Sequence, residues 1–198
     1  MPLENFKRYI QHHTQLSDTH FNELTRNIRV EVVKKHTRLL NQGEVCRFSF
    51  FVSKGLLRLY TLDQQGKEFV IQFAPEDWIV GDRSSAYFNQ ASDYFIDCIE
   101  DSEIVFIDRQ LIERASDIDK NFRTYFDNLL HNHIRHMQRR ISFLLCATAE
   151  QRYMEFITLY PDLMLRAPQW MIASYLGITP ESLSRVRKEL ANKHFRTI

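Results

Sequence analysis

Glu181, Ser184, Arg185 and Lys188 recur at steps of three, one and three, a spacing that puts all four on one face of a helix. Ser182 and Arg187 flank that face. An arginine can present paired N–H donors to guanine O6 and N7, and a glutamate can accept from the amino group of cytosine. Such contacts are worth about 1–3 kcal/mol of base discrimination each. Lys188, Arg187 and the two serines suit phosphate oxygens, contacts that position a protein on a duplex without reading its sequence. Residues 179–198 hold five Lys/Arg against two Glu, while the whole chain holds 26 against 25. The excess is therefore local. A charged helix face is also what any solvated helix shows, so the elements that hold it must decide.

The segment WMIASYLGITPESLSRVRKEL, residues 170–190, has the pattern of two helices crossing at Gly177. Glycine takes the positive φ that such a turn demands without steric cost. Ala173 is small enough for close approach, and Ile172, Leu176, Ile178, Leu183 and Val186 fall where a small core between the helices needs them. Thr179 is placed to cap the second helix and Pro180 to occupy its first turn. These positions describe a helix-turn-helix. With Leu183, Val186 and Leu190 turned inward, the charged face looks outward.

Upstream, residues 117–147 contain neither Gly nor Pro, and Leu130, Ile134, Met137, Ile141 and Leu144 follow one another at steps of four and three. That predicts one long helix, on the order of 45 Å at 1.5 Å per residue. An apolar seam of that length suits pairing with a second copy. Thr148 with Gln151 has capping-box spacing, so a new helix is expected there, carrying Tyr153, Phe156, Ile157 and Tyr160 inward and stopping at Pro161.

Residues 1–116 read differently. Two short helical patterns, about 2–13 and 18–28, precede strand signals rich in aromatic and β-branched residues, with turns at Gly43, Gly55 and Gly66. Phe69, Ile71 and Phe73 alternate with Val70 and Gln72, which predicts a strand with one buried face. An antiparallel barrel or jelly roll is expected. The domains are accordingly 1–116, a sensor barrel with N-terminal helices; 117–147, a dimerisation helix; and 148–198, an all-α DNA-binding domain. The fold class is α+β.

The whole chain, over roughly residues 15–190, resembles the Crp/Fnr family of bacterial transcription regulators. The landmarks are Gln42-Gly43-Glu44, Gly55 to Tyr60 and Asp63 to Glu68 in the barrel, then Thr148 to Tyr153, Tyr160-Pro161 and Ile172 to Thr179. The resemblance implies a cyclic-nucleotide-binding-like domain, a homodimer on a pseudo-palindromic double-stranded operator, RNA polymerase as a further partner, and base contacts from Glu181 and Arg185.

Two departures stand out. Cyclic-AMP-binding relatives carry a Gly-Glu pair and, about ten residues on, an Arg-Ser pair that holds the cyclic phosphate. Here the loop starts Gly81, Asp82, Arg83, Ser84, and Ser92 and Asp93 stand where arginine and serine are expected. A phosphate would meet a carboxylate, which argues against cyclic AMP or cyclic GMP. Arg83 is a cation that restores an anion site from the other end of the loop, and Tyr94, among aromatics including Trp78, Tyr87, Phe88 and Phe95, either fills the old pocket or lines a site for another small ligand. Gly81, Asp82, Arg83, Ser84 and Tyr94 are therefore the candidate ligand-pocket residues. The second departure is the tail, KHFRTI, which is too short for the family's β-hairpin wing. Its absence predicts more salt-sensitive DNA binding.

Other chemistry finds no support. His131, His133 and His136 scatter around their helix with no carboxylate or cysteine to complete a metal site, and are expected to face solvent. Cys46, Cys98 and Cys146 lie far apart with no CxxC, which suits reduced thiols and gives no cluster framework. No nucleophile elbow, P-loop or HExxH motif is present, so no enzyme and no cofactor are expected. No apolar run approaches membrane-spanning length, and a cytoplasmic protein is the expectation. The alternatives are a regulator responsive to a cyclic nucleotide or other small ligand, and a sensor or scaffold that has lost DNA binding.

Overall fold

The computed structural model describes residues 2–195. The chain forms two compact units. One runs to Thr61 and resumes over Ile71–Asn132; the other holds Leu62–Val70 and begins again at His133.

In the first unit, α1 (Pro2–His13) and α2 (Asp18–Leu24) precede the strands. Ser17 caps α2 by accepting from the His20 N–H. The helix ends four residues short of the expected 28, because past Thr25 the chain tightens into three-residue turns, with the Arg26 N–H on the Glu23 carbonyl and the Ile28 N–H on the Thr25 carbonyl. Then follow β1 (Arg29–Val33), β2 (Arg38–Leu40), β3 (Phe48–Lys54), β4 (Leu57–Leu62), β5 (Glu68–Ala74), β6 (Ile79–Val80), β7 (Phe95–Cys98) and β8 (Ser102–Asp108). They make two four-stranded sheets, β1-β8-β3-β6 and β2-β7-β4-β5, and not one closed barrel. The chain crosses from one sheet to the other at Gly55, whose φ of 100° suits glycine and where a side chain would run into Ser102.

Strand alternation builds two cores. Phe50, Val52, Ile104 and Phe106 of the first sheet meet Leu40, Leu57, Leu59 and Ile96 of the second. The other face of the first sheet, through Phe51, Val105 and Ile107, packs on Phe6, Ile10 and Phe21, and on Leu111 and Ala115 of α4 (Arg109–Ile118). Strand β5 departs from the expected single buried face. Phe69 is exposed, while Val70 and Gln72 are buried with Phe73 and Ala74. Val70 is covered because its N–H and carbonyl bond to the Ser174 hydroxyl and the Arg140 guanidinium.

The long helix, α5, spans Lys120–Cys146 and starts three residues later than expected. Asp119 leaves helical geometry between α4 and α5 and accepts from the Asn121 N–H, which separates the two. In the second unit, α6 (Ala149–Leu159), α7 (Leu163–Arg166), α8 (Gln169–Leu176) and α9 (Pro180–Phe195) follow. Phe156, Tyr160, Leu163, Ile172, Leu176, Leu183 and Val186 form its buried interior. Of the four residues expected inward on α6 and at its end, Phe156 and Tyr160 are buried, and Tyr153 and Ile157 are half-buried. Among the described residues no helix is long and apolar enough to cross a membrane.

Candidate nucleic-acid interface and the sensor loop

The α8–α9 turn is fixed by hydrogen bonds that leave none of the last four α8 carbonyls empty. Gly177 sits at φ 65°. The Ile178 N–H reaches the Ala173 carbonyl and the Gly177 N–H the Ser174 carbonyl, each at 3.0 Å, a Schellman closure. The remaining two are met by side chains from elsewhere in the unit. Arg140 of α5 donates to the Tyr175 carbonyl at 3.0 Å and Arg152 of α6 to the Leu176 carbonyl at 2.7 Å. The Arg140 guanidinium also lies 4.0 Å over the Tyr175 ring.

Neither arginine was assigned a role from sequence. Arg152 stands inside the Thr148 to Tyr153 landmark, and four residues after a capping-box threonine is a place that looks back along the helix. That was the available signal for Arg152; for Arg140 there was none. Thr148 and Gln151 do make both halves of the capping box.

The second helix begins as its sequence predicts. The Thr179 hydroxyl accepts from the Ser182 N–H at 3.2 Å, and Pro180 is the first helical residue. Leu183 and Val186 are buried; Glu181, Ser184, Arg185, Arg187 and Lys188 are exposed, and Ser182 is half-buried. Hydrogen bonds from its own backbone N–H and from Thr179 hold the Glu181 carboxyl below the usual carboxylate range. Lys193 pairs with Glu150 at 2.8 Å, fastening α9 to the start of α6. Of KHFRTI, residues 193–195 continue α9, and residues 196–198 lie outside the described residues.

On α5, Leu130, Ile134, Ile141 and Leu144 are 40%, 44%, 57% and 39% exposed, and Met137 is half-buried. His131 is exposed, but His133 and His136 are half-buried, against the solvent-facing expectation. At His136, burial together with the nearby Arg140 charge lowers the pKa. The same residue lines a small cavity of about 40 Å³ with Arg152, Glu155 and Tyr175. Among the described residues no group of three or more His, Cys, Asp or Glu is placed to hold a metal ion. Cys46 and Cys98 are buried and Cys146 is exposed.

The Gly81–Tyr94 loop is knitted to itself. Asp82 caps α3 (Arg83–Phe88) by accepting from the Ser85 N–H, and its other oxygen accepts the Ser92 hydroxyl at 2.7 Å. The Ser85 hydroxyl donates to the Gln90 carbonyl and accepts from the Cys46 N–H. A Cβ at Gly81 would stand 3.2–3.4 Å from Ser49 and the Phe48 carbonyl, a tight fit that Gly81 relieves. The Arg83 guanidinium lies 5.8 Å from the Phe126 ring centroid, and burial lowers its pKa. Ser84 is exposed and Tyr94 half-buried. Trp78 and Tyr94 pack against the inter-sheet core, Phe95 stacks on Tyr60, and Tyr87 and Phe88 point outward. Deeper in the unit, Arg58 and Asp97 form a buried bidentate pair at 2.8 Å.

Residues 30–119 match the family model of the cyclic nucleotide-binding domain. The chain is 23% identical over 169 residues to electron transport regulator A of Shewanella oneidensis, covering 80% of this chain and 67% of that protein. It is 24% identical over 169 residues to the anaerobic regulatory protein of Pasteurella multocida, covering 80% and 61%. It thus spans between three fifths and about two thirds of those relatives' length. Its fold is similar to that of FixK2 from Bradyrhizobium japonicum, with a TM-score of 0.73, 21% identity, and coverage of 84% and 86%.

Residues 30–119 thus resemble a cyclic nucleotide-binding domain, and the fold of the chain is similar to that of a Crp/Fnr-family regulator from Eubacterium rectale. Its sheet region, long helix and C-terminal helical bundle are similar in fold to those structures. In the loop at Gly81–Tyr94 the polar side chains Asp82, Ser85 and Ser92 bond within the loop and to the Cys46 N–H.

Proposed function

We propose that this chain is a Crp/Fnr-type regulator, homodimeric, sequence-reading and DNA-binding, whose sensor domain does not respond to cyclic AMP. The observation that carries the reading is the turn at Gly177. Two arginines and a Schellman closure fix α9 so that its apolar residues are buried and Arg185, Lys188 and Glu181 are left outward. In this reading residues 148–198 bind a pseudo-palindromic duplex, with Arg185 and Glu181 at base edges and Ser182, Ser184, Arg187 and Lys188 on phosphates. Residues 117–147 pair two copies through Leu130, Ile134, Met137, Ile141 and Leu144. Their exposure supports this, since one apolar row on a single helix needs a partner surface. Residues 1–116 sense the signal in the cytoplasm, and RNA polymerase is the partner downstream.

Two features support a sensor that declines cyclic nucleotides. Both Asp82 oxygens are engaged by the loop itself, and Arg83 packs by Phe126. A different small ligand at Gly81, Asp82, Arg83, Ser84 and Tyr94 remains part of the proposal.

The coupling follows from Arg140. A residue of the pairing helix holds a carbonyl of the first reading helix, so a change in how two α5 helices pair alters the support of the α8–α9 turn. A ligand that favours one pairing shifts the population of the DNA-binding state.

Selection of duplexes from a random pool tests the reading. Enrichment of inverted repeats with half-sites about 10 base pairs apart is expected. A pool left unenriched at low salt overturns DNA reading and leaves the scaffold alternative.

A further inference from the structure

Strand β1 sends Val33 into the inter-sheet core and Val30 into the outer one. By the same alternation Arg29 and Glu31 share the inner face with Val33. A charged pair on an inner strand face is costly where it is dry. Here it borders an open cavity of about 260 Å³ between β1, β8, β3 and β2.

The rings of Phe48, Phe50 and Phe106 form one wall, packed edge to face. The Arg29 guanidinium lies 4.0 Å above the Phe106 ring, and its Nε bonds Glu31 at 2.7 Å. Its two terminal nitrogens make no hydrogen bond among the described residues. Arg38 and Arg47 also line the cavity, and among the described residues Arg47 makes no ion pair. The two carboxylates present are already engaged, Glu31 by Arg29 and Glu44 by the backbone and side-chain N–H groups of Asn41. Three guanidiniums against two carboxylates leave one positive charge in surplus.

We infer that this cleft binds a small organic monoanion with an aromatic or branched apolar body. Its carboxylate lies against Arg29 and Arg47, and its body lies along the phenyl wall. None of Gly81, Asp82, Arg83, Ser84 or Tyr94 lines this cavity, although the N–H of Cys46 in its wall donates to Ser85 of that loop. Binding here does not rest on the DNA-binding reading, and its test contains no DNA.

The test is a ligand-observed NMR titration of the full chain with 3-phenylpropanoate, its neutral amide and 3-phenylpropylamine. The acid is expected to bind with a Kd of about 1 mM or tighter, and the amide and amine at least about tenfold more weakly. Arg29→Gln and Arg47→Gln should each weaken the acid by about tenfold, while Arg123→Gln, on an exposed part of α5, should not. Arg47→Gln breaks no ion pair, so the test stands even if Arg29→Gln unfolds. No binding of the acid up to about 10 mM, equal binding of acid and amide, or an unchanged affinity in Arg47→Gln would each overturn the inference.

Discussion

Arg152 Nη1 donates to the Leu176 carbonyl at 2.7 Å, closing the last open acceptor of α8 directly before Gly177. Arg152→Leu keeps most of the side-chain bulk but leaves that carbonyl without its charged donor. The expected loss is about 1–3 kcal/mol, read as a lower urea midpoint with an unchanged m-value. An unchanged midpoint would mean that the turn is held by the Schellman closure alone.

Gly177→Ala strains the same turn from inside. At φ 65° a Cβ costs about 1 kcal/mol or more, and it would stand 3.1 Å from a Leu144 methyl and 3.2 Å from Arg152 Nη1. Because Arg152 is one of the crowded groups, Gly177→Ala with Arg152→Leu should cost less than the two single changes added together. Strict additivity in urea unfolding would show that the crowding is relieved elsewhere.

These two residues also show where sequence reading reaches. Gly177, Ala173, Thr179, Pro180 and the Thr148–Gln151 box are legible because local backbone chemistry restricts each position to a few residue types. The bracing by Arg140 and Arg152 is not, since an arginine's partner lies 35 or 24 residues away and nothing in the spacing names a carbonyl. Strands β3, β4, β7 and β8 were visible as apolar runs. The two-residue β6 and the six-residue α3 are not, since neither spans two periods of its own pattern. The single-face reading of β5 failed because Val70 is covered by side chains from α5 and α8, a contact of long sequence separation. The cleft at Arg29 was hidden for another reason: an alternating strand gives no sign of whether its inner face is filled.

Arg185 and Lys188 are both exposed, so their replacement should leave folding stability within about 0.5 kcal/mol. Their effects on DNA should differ in kind. Arg185→Ala is expected to cost about 1–3 kcal/mol on the selected sequence and to relax preference at one base pair per half-site. Lys188→Ala should weaken all duplexes alike and reduce the slope of log affinity against log salt by about one. Competition titrations at several salt concentrations separate the two; identical behaviour would contradict the assigned roles.

His136 makes stability depend on pH. Burial is the largest cause of its lowered pKa, followed by Arg140; Arg139 acts the same way, and Glu155 opposes them. The folded value lies below the ordinary imidazole value of about 6.5, so the folded state favours the neutral ring. The contribution is complete above about pH 6.5 and is lost as pH falls below it. His13 is shifted in the same direction by partial burial and by His12. Urea midpoints should therefore fall between about pH 7.5 and 5.5, and His136→Gln should remove part of that slope, leaving the part due to His13. An identical slope in the variant would contradict the account.

Sedimentation velocity on the chain alone and with a selected inverted-repeat duplex tests the pairing of two reading helices most directly. Two chains per duplex are predicted, with a dimer in the absence of DNA. Replacing Ile134 and Ile141 by glutamate is predicted to give monomers that no longer prefer two half-sites over one. A single chain per duplex, or an undiminished dimer in the doubly substituted chain, would contradict it.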